Sequence, residues 1–286
     1  MNVLTVENLC KKYPAFALEN VSFSVQQGQI MGFIGRNGAG KTTTLKSLLD
    51  LVHPDAGSVA FFGKPFAGSE FEAKQNLGFA SGGVNYYPKK KLKAITAATR
   101  RFYLQWDDAA YRGYLARFSL DENKTPDALS EGMKVKYALA LALSHRAKLL
   151  ILDEPTSGLD PVSREDLLDL FLSLADEGVS ILFSTHITSD LEKCADAITY
   201  IQKGKILASL PLQEFLAQYK IASFATETLP DALPDAVKAA CIGTKRAKNG
   251  ASALLLSENA AAFEAAGISV TPADLESVMV HLEKED

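Results

Sequence analysis

Between Gly35 and Thr42 the chain reads Gly-Arg-Asn-Gly-Ala-Gly-Lys-Thr, a full match to G-x-x-x-x-G-K-[ST]. Placed after a strand and opening a helix, such a loop turns consecutive backbone N–H groups onto phosphate oxygens, and the helix N-terminus adds partial positive charge. The nucleotide-binding set is then Gly35, Arg36, Asn37, Gly38, Ala39, Gly40, Lys41, Thr42 and Thr43. Lys41 is expected to reach the β- and γ-phosphates, and the Thr42 hydroxyl is expected on Mg²⁺. The alternative is a Gly-rich turn with no ligand, which the flanking strand and helix disfavour. Farther along, Leu149-Leu150-Ile151-Leu152-Asp153-Glu154 is an apolar run ending in two carboxylates. It sets Asp153 at the mouth of a sheet beside the metal and leaves Glu154 to polarise an attacking water as general base. These acids could instead cap the next helix, but beside a phosphate loop a nucleotide hydrolase is favoured over a passive binder.

The elements that must hold these residues follow from periodicity. Val3 to Leu9 and Val21 to Val25 alternate apolar and polar residues, which predicts antiparallel strands joined by a Lys-Lys-Tyr-Pro loop. Ile30 to Ile34 is continuously apolar, as a strand buried on both faces would be, and runs into the phosphate loop. Leu45, Leu48, Leu49 and Val52 then recur at helical spacing until His53-Pro54-Asp55-Ala56-Gly57. From about residue 83 to 135 the pattern is helical and rich in Lys, Arg and aromatics, with Leu92, Ile95 and Ala98 on one side, and reads as an inserted helical subdomain. Leu149–Leu152 and Val179–Phe183 are further buried strands, separated by a helix carrying Leu167, Leu170, Phe171 and Leu174. This alternation implies a largely parallel sheet.

With 286 residues, 47% hydrophobic and 22% charged, the chain has the composition of a folded globular protein, one large domain with an appendage. Thirty Lys+Arg against 34 Asp+Glu give a net charge of −4, which argues against a general nucleic-acid partner. Cys10, Cys194 and Cys241 are too few and too widely spaced for a disulfide framework or a C-x-x-C metal site, so a reducing cytosol is expected. No apolar run approaches the roughly 18 to 20 residues a bilayer span requires. The first residues lack a basic stretch followed by an apolar core, so no secretory signal is expected. Residues 221–286 hold 5 Lys+Arg and 10 Asp+Glu, a composition shift that separates a small accessory domain from a nucleotide-binding domain over 1–220.

Three further motifs stand in order behind the phosphate loop. These are Leu129-Ser130-Glu131-Gly132-Met133 ahead of a helix, Ser157-Gly158-Leu159-Asp160 after the acidic pair, and Ser184-Thr185-His186 closing the next strand. Together they resemble the ATP-binding subunit of ABC transporters over about residues 2–215. The resemblance implies an α/β P-loop ATPase with a mixed core sheet, an N-terminal antiparallel β subdomain, the inserted helical subdomain and a small C-terminal α+β appendage. It also implies ATP and Mg²⁺ as cofactors, with Thr42 and Asp153 as metal ligands and Lys41, Glu154 and His186 as the catalytic group. In that family two such domains sandwich two ATP molecules head to tail. Ser130 and the N–H groups through Glu131, Gly132 and Met133 would meet the γ-phosphate held by the other subunit, and Asp160 would lie at the dimer seam. His186 would bond the γ-phosphate and hold the water and Glu154 in place. Tyr13 matches the aromatic that stacks on adenine, a contact of about 1–3 kcal/mol by analogy with other base stacking.

Two departures from the family matter. Members usually carry Gln at the end of the strand that here reads Leu77-Gly78-Phe79-Ala80-Ser81-Gly82. Without that amide, water is expected to complete the metal shell, leaving Thr42 and Asp153 as the direct protein ligands. Glu131 stands for the common Gly and Met133 for the common Gln, so the Glu131 carboxylate must point away from phosphate. Lys89, Lys90, Lys91, Lys93, Arg100 and Arg101 form a basic cluster, either a solvated face or a surface facing anionic lipid. The segment from Thr271 to Leu282 looks like the closing helix of ABC-2 exporter ATPases.

The expectation is therefore an ATP-hydrolysing subunit, peripheral on the cytoplasmic face of the cell membrane, energising a separate transmembrane permease and pairing with a second ATPase subunit as a homodimer. A non-transport ABC ATPase acting on ribosomes or DNA is the rival, but such chains normally carry a second cassette or a coiled-coil insertion. The same motifs would also suit an importer subunit, or a regulatory module that binds ATP without turnover, although Glu154 disfavours the latter.

Overall fold

The computed structural model describes residues 1–81, 87–225, 233–247 and 250–283. They form two compact units, Met1–Ser209 and Leu210–Asp286. The division falls before the expected 220/221 boundary: the second unit takes in the helix Leu212–Ala217 and the strand opening at Tyr219, which pairs within that unit's own sheet.

In the first unit the chain runs β1 (Asn2–Tyr13), β2 (Phe16–Gln26), β3 (Ile30–Ile34), α1 (Lys41–Leu48), β4 (Ala56–Phe61), β5 (Lys64–Pro65), α2 (Glu70–Gln75) and β6 (Leu77–Ser81). It continues through α3 (Leu92–Thr99), α4 (Asp108–Arg117), α5 (Glu131–Ser144), β7 (Leu149–Asp153), α6 (Pro161–Asp176), β8 (Ser180–Thr185), α7 (Thr188–Cys194), β9 (Ala197–Gln202) and β10 (Lys205–Pro211). One sheet has the order β2-β1-β4-β5 and is antiparallel; the other has the order β10-β9-β3-β8-β7-β6, in which the pairs β9–β3, β3–β8, β8–β7 and β7–β6 are parallel.

All five residues of β3 and of β7 are buried, as expected of strands covered on both faces. Phe33, Ile151 and Leu182 are at 0% exposure and join Leu4, Leu45 and Leu149 in the core, each worth about 1.5–3 kcal/mol of burial. This core fixes the C-terminal ends of β3, β7 and β8 side by side, and the chemistry-bearing residues project from those ends.

Several boundaries differ from expectation. Lys11, Lys12 and Tyr13 are not a loop but the last residues of β1, with Tyr13 paired to Phe16 across the hairpin. Helix α1 ends at Leu48 rather than near Val52, because Asp50 turns the chain with φ of 57°. In α3, Leu92 and Ile95 are buried but Ala98 is exposed; Thr96 takes the inward place, within 2.7 Å of the Tyr111 hydroxyl and 2.8 Å of that of Tyr137. The helical region runs on through α5 to Ser144.

The second unit holds α8 (Leu212–Ala217), β11 (Tyr219–Phe224), α9 (Asp235–Ala239), β12 (Ile242–Ala247), β13 (Gly250–Leu256), α10 (Ala260–Ala265), β14 (Ser269–Pro272) and α11 (Leu275–Leu282). Its antiparallel sheet has the order β12-β13-β11-β14 over a core that includes Ala222, Ala253, Leu255 and Phe263. The closing helix is shorter than the expected Thr271–Leu282: Thr271 belongs to β14, and Asp274 caps α11 by accepting from the Ser277 N–H at 2.6 Å.

Candidate active site

The loop from Gly35 to Gly40 joins β3 to α1, the arrangement the motif required. Gly35 and Gly40 have φ of 154° and 116°. A Cβ on Gly35 would stand 2.2 Å from the Ile201 carbonyl oxygen, and one on Gly40 would stand 2.6 Å from Leu18 and 2.8 Å from Phe16. Backbone alone fits at these two turns. No side chain caps α1 and its first turn holds no acid, so no side chain of that turn competes with a phosphate for the positive end of the helix.

Lys41 is 5% exposed and folds back over the loop, donating to the Gly35 carbonyl at 2.7 Å and lying 3.4 Å from that of Arg36. Its ammonium is also 3.5 Å from Glu154 Oε1. The other oxygen of that carboxylate, Oε2, accepts from His186 Nδ1 at 2.8 Å. Glu154 occupies the left-handed region with φ of 52°, which costs a non-glycine residue about 1–3 kcal/mol. Its N–H is held on Ser184, at 3.1 Å from the carbonyl and 3.0 Å from the hydroxyl. The strained backbone aims the carboxylate between Lys41 and His186.

Asp153, 6% exposed, collects hydroxyls. Ser184 donates to its Oδ1 at 2.6 Å, Thr42 to its Oδ2 at 2.9 Å, and Ser81 to the same Oδ2 at 3.3 Å. Thr42 and Asp153 offer the hard oxygen donors that Mg²⁺ prefers, so the residues present fit that ion. Ser81, at the end of β6 where the family usually continues to Gln, thus touches the carboxylate assigned to the metal. Gly82 and Gly83 lie outside the described residues.

A cleft of about 560 Å³ unites the phosphate loop with Glu154 and His186; Phe16, Arg36, Asn37, Gly38, Gly40, Lys41, Thr42, Thr43, Glu154, Ser157 and His186 line it. Phe16 was not singled out from the sequence, Ser157 was named only as the start of the Ser157–Asp160 motif and not as a cleft residue, and Ser81 and Ser184 were not named as partners of Asp153. The pairing of Phe16 with Tyr13, and Ser184 two residues before His186, were the available signals. Tyr13 is outside the lining; it ends β1 with 39% exposure, and the Lys11 ammonium stands 5.9 Å from its ring centroid.

Ser130, Glu131, Gly132 and Met133 are likewise absent from the cleft. Ser130 is the exposed N-cap of α5, its Oγ accepting from the Met133 N–H at 3.3 Å. Glu131 turns aside to Lys134 at 2.7 Å. Asp160 caps α6, accepting from the Val162 and Ser163 N–H groups, both at 3.1 Å. Its bonds from Ser163 hold its carboxyl below the usual carboxylate range. A single chain therefore assembles the loop, the acids and His186, and leaves the Ser130 helix start outward.

The chain matches the ABC transporter family over residues 18–157. It is 31% identical over 212 residues to the ABC transporter ATP-binding protein YtrB of Bacillus subtilis (strain 168), covering 74% of this chain and 72% of that protein. Identity is 37% over 208 residues to the Nod factor export ATP-binding protein I of Burkholderia orbicola (strain AU 1054), covering 70% and 68%. Among solved structures, an ATP binding subunit of an ABC transporter superposes with a TM-score of 0.68 at 29% identity, covering 76% of this chain and 92% of that one. The chain belongs to the ABC transporter ATP-binding family. It is a nucleotide-binding ATPase, with no described helix long and apolar enough to cross a membrane.

Proposed function

We propose that this subunit hydrolyses MgATP to drive an exporter whose membrane-spanning part is a separate permease, and that it works as a homodimer on the cytoplasmic face. The observation that carries the reading is the Glu154 carboxylate held between Lys41 at 3.5 Å and His186 at 2.8 Å at the mouth of the phosphate-loop cleft. Lys41 and the loop N–H groups bind the phosphates, Glu154 takes the proton of the attacking water, and His186 keeps Glu154 in place. Thr42 and Asp153 hold Mg²⁺, which when bound neutralises charge on the phosphate oxygens.

The outward Ser130 cap and Asp160 support a trans role in which each chain completes the other's site, and the name of the Nod factor relative supports export. Tyr13, at the end of β1, offers its half-exposed ring to adenine. The test is co-expression with a candidate permease, purification from detergent-solubilised membranes and an ATPase assay with and without it. Recovery of a stable complex whose permease stimulates turnover is expected. A chain that hydrolyses ATP but never co-purifies with membrane protein would overturn the transport role.

A further inference from the structure

Ser81, Asp153 and Ser184 stand level at the ends of three adjacent strands, for Ser81 pairs with Asp153 and Asp153 with Ser184 in the parallel ladders. The two serines are not equivalent. Ser184 is fully buried, accepts from the Glu154 N–H and donates to Asp153 Oδ1 at 2.6 Å, so its hydroxyl is committed on both sides. Ser81 is only half-buried and makes one long contact, 3.3 Å, to Oδ2. That oxygen also accepts from Thr42 at 2.9 Å. Oδ2 is thus flanked by two hydroxyls from different elements, and the Thr42 hydroxyl also lies 3.2 Å from Oδ1.

Mg²⁺ binds oxygens at about 2.0–2.1 Å in an octahedron, so ligands on adjacent corners stand about 2.9 Å apart. The Thr42–Asp153 separation already has that value, and the Ser81–Asp153 separation is within a few tenths of an ångström of it. We propose that the Ser81 hydroxyl is a third protein oxygen of the magnesium shell, so that the end of β6 is tied to the metal through serine. The proposal rests on the assignment of Thr42 and Asp153 as metal ligands given above.

The test reads the metal directly. Binding of a fluorescent non-hydrolysable ATP analogue is titrated with MgCl₂, and bound Mn²⁺ is followed by electron paramagnetic resonance. Ser81→Ala should raise the Mg²⁺ concentration for half-saturation about tenfold, the scale of lost metal-site support, while affinity for the analogue in EDTA stays the same. Ser81→Thr keeps the hydroxyl and should restore the wild-type value. Ser81→Cys should move preference from Mg²⁺ towards Cd²⁺, because thiolate favours softer ions. An unchanged Mg²⁺ requirement in Ser81→Ala, with no gain of Cd²⁺ preference in Ser81→Cys, overturns the proposal. Thr42→Ala separates the two levels of inference. If it raises the requirement and Ser81→Ala does not, only the role of Ser81 falls; if neither does, the metal assignment itself is wrong.

Discussion

His186 Nδ1 and Glu154 Oε2 meet at 2.8 Å across the ends of β8 and β7, and because the acceptor is a carboxylate the imidazole donates. The bond links the group proposed to deprotonate water to the residue that closes the neighbouring strand. Glu154→Gln keeps an oxygen that His186 can donate to, yet removes the base. ATP affinity should therefore survive while turnover falls at least about 100-fold, the scale of general-base contributions. Calorimetric titration with ATP and a phosphate-release assay on the same preparation measure the two quantities; undiminished turnover would remove Glu154 from the mechanism.

Lys41 bears on binding rather than on the base. Its ammonium spends its hydrogen bonds on the loop's own carbonyls at 2.7 and 3.4 Å, and phosphate oxygens would be its natural partners in the same cleft. Hydrogen bonds to charged groups contribute about 1.5–3 kcal/mol, so Lys41→Ala should weaken ATP binding by about 10- to 100-fold. Intact affinity by the same titration contradicts the phosphate-loop reading.

The hairpin aromatics are separable by ligand. Tyr13, half-exposed at the end of β1, is the residue assigned to adenine, whereas Phe16 packs against the turn at Gly40. Tyr13→Ala should cost ATP binding about 1–3 kcal/mol and leave tripolyphosphate binding unchanged, while Tyr13→Phe keeps the stack. If Tyr13→Ala and Tyr13→Phe bind ATP like wild type, the base lies elsewhere, and Phe16→Ala becomes the variant to measure.

Ser130 lies outside the cleft that holds its own chain's phosphate loop. A chain carrying both halves of a composite site can pair with itself. Glu154→Gln protein should therefore run as a dimer in light scattering with MgATP and as a monomer without it, and Ser130→Arg should abolish the ATP-dependent species. A monomer in both conditions excludes self-pairing of the isolated subunit.

Most of this site was legible because the motifs are local: Gly35 to Thr42 and Asp153-Glu154 each occupy one turn or one strand end, where residue type and position suffice. What was not legible depends on register between distant segments. Ser81 and Asp153 are 72 residues apart and meet only because β6 pairs with β7, which no local pattern specifies. Ala98 was misplaced for a similar reason. Two tyrosine hydroxyls arriving from α4 and α5 give Thr96 the partners a buried polar group needs, and the helix turns Ala98 outward. Tyr13 and Pro14 carry loop chemistry by type, yet the hairpin closes so tightly that Tyr13 is still laddered to Phe16.

One buried group makes the helical region sensitive to acid. His145, at the end of α5, is 2% exposed, stacks on Tyr103 with ring centroids 3.6 Å apart, and directs Nδ1 to the Gln75 carbonyl at 3.3 Å. Burial lowers its pKa from 6.5 to about 4. The unfolded chain therefore takes up a proton near pH 6.5 that the folded chain refuses until about pH 4. Unfolding is favoured as pH falls through that window, by up to about 1.4 kcal/mol per pH unit, and the contribution is fully present above it. His145→Phe retains a ring for Tyr103 but cannot titrate, and it gives up the bond to Gln75. At pH 7.5 the variant should be the less stable protein, and the difference should shrink steadily towards pH 4.5. Trp106, the chain's single tryptophan, packs against Tyr111 in the same region and reports the transition by fluorescence in urea. Carboxylates titrate equally in both proteins, so the change in their difference isolates His145; midpoints that fall in parallel with pH would show that His145 is not the source of the acid sensitivity.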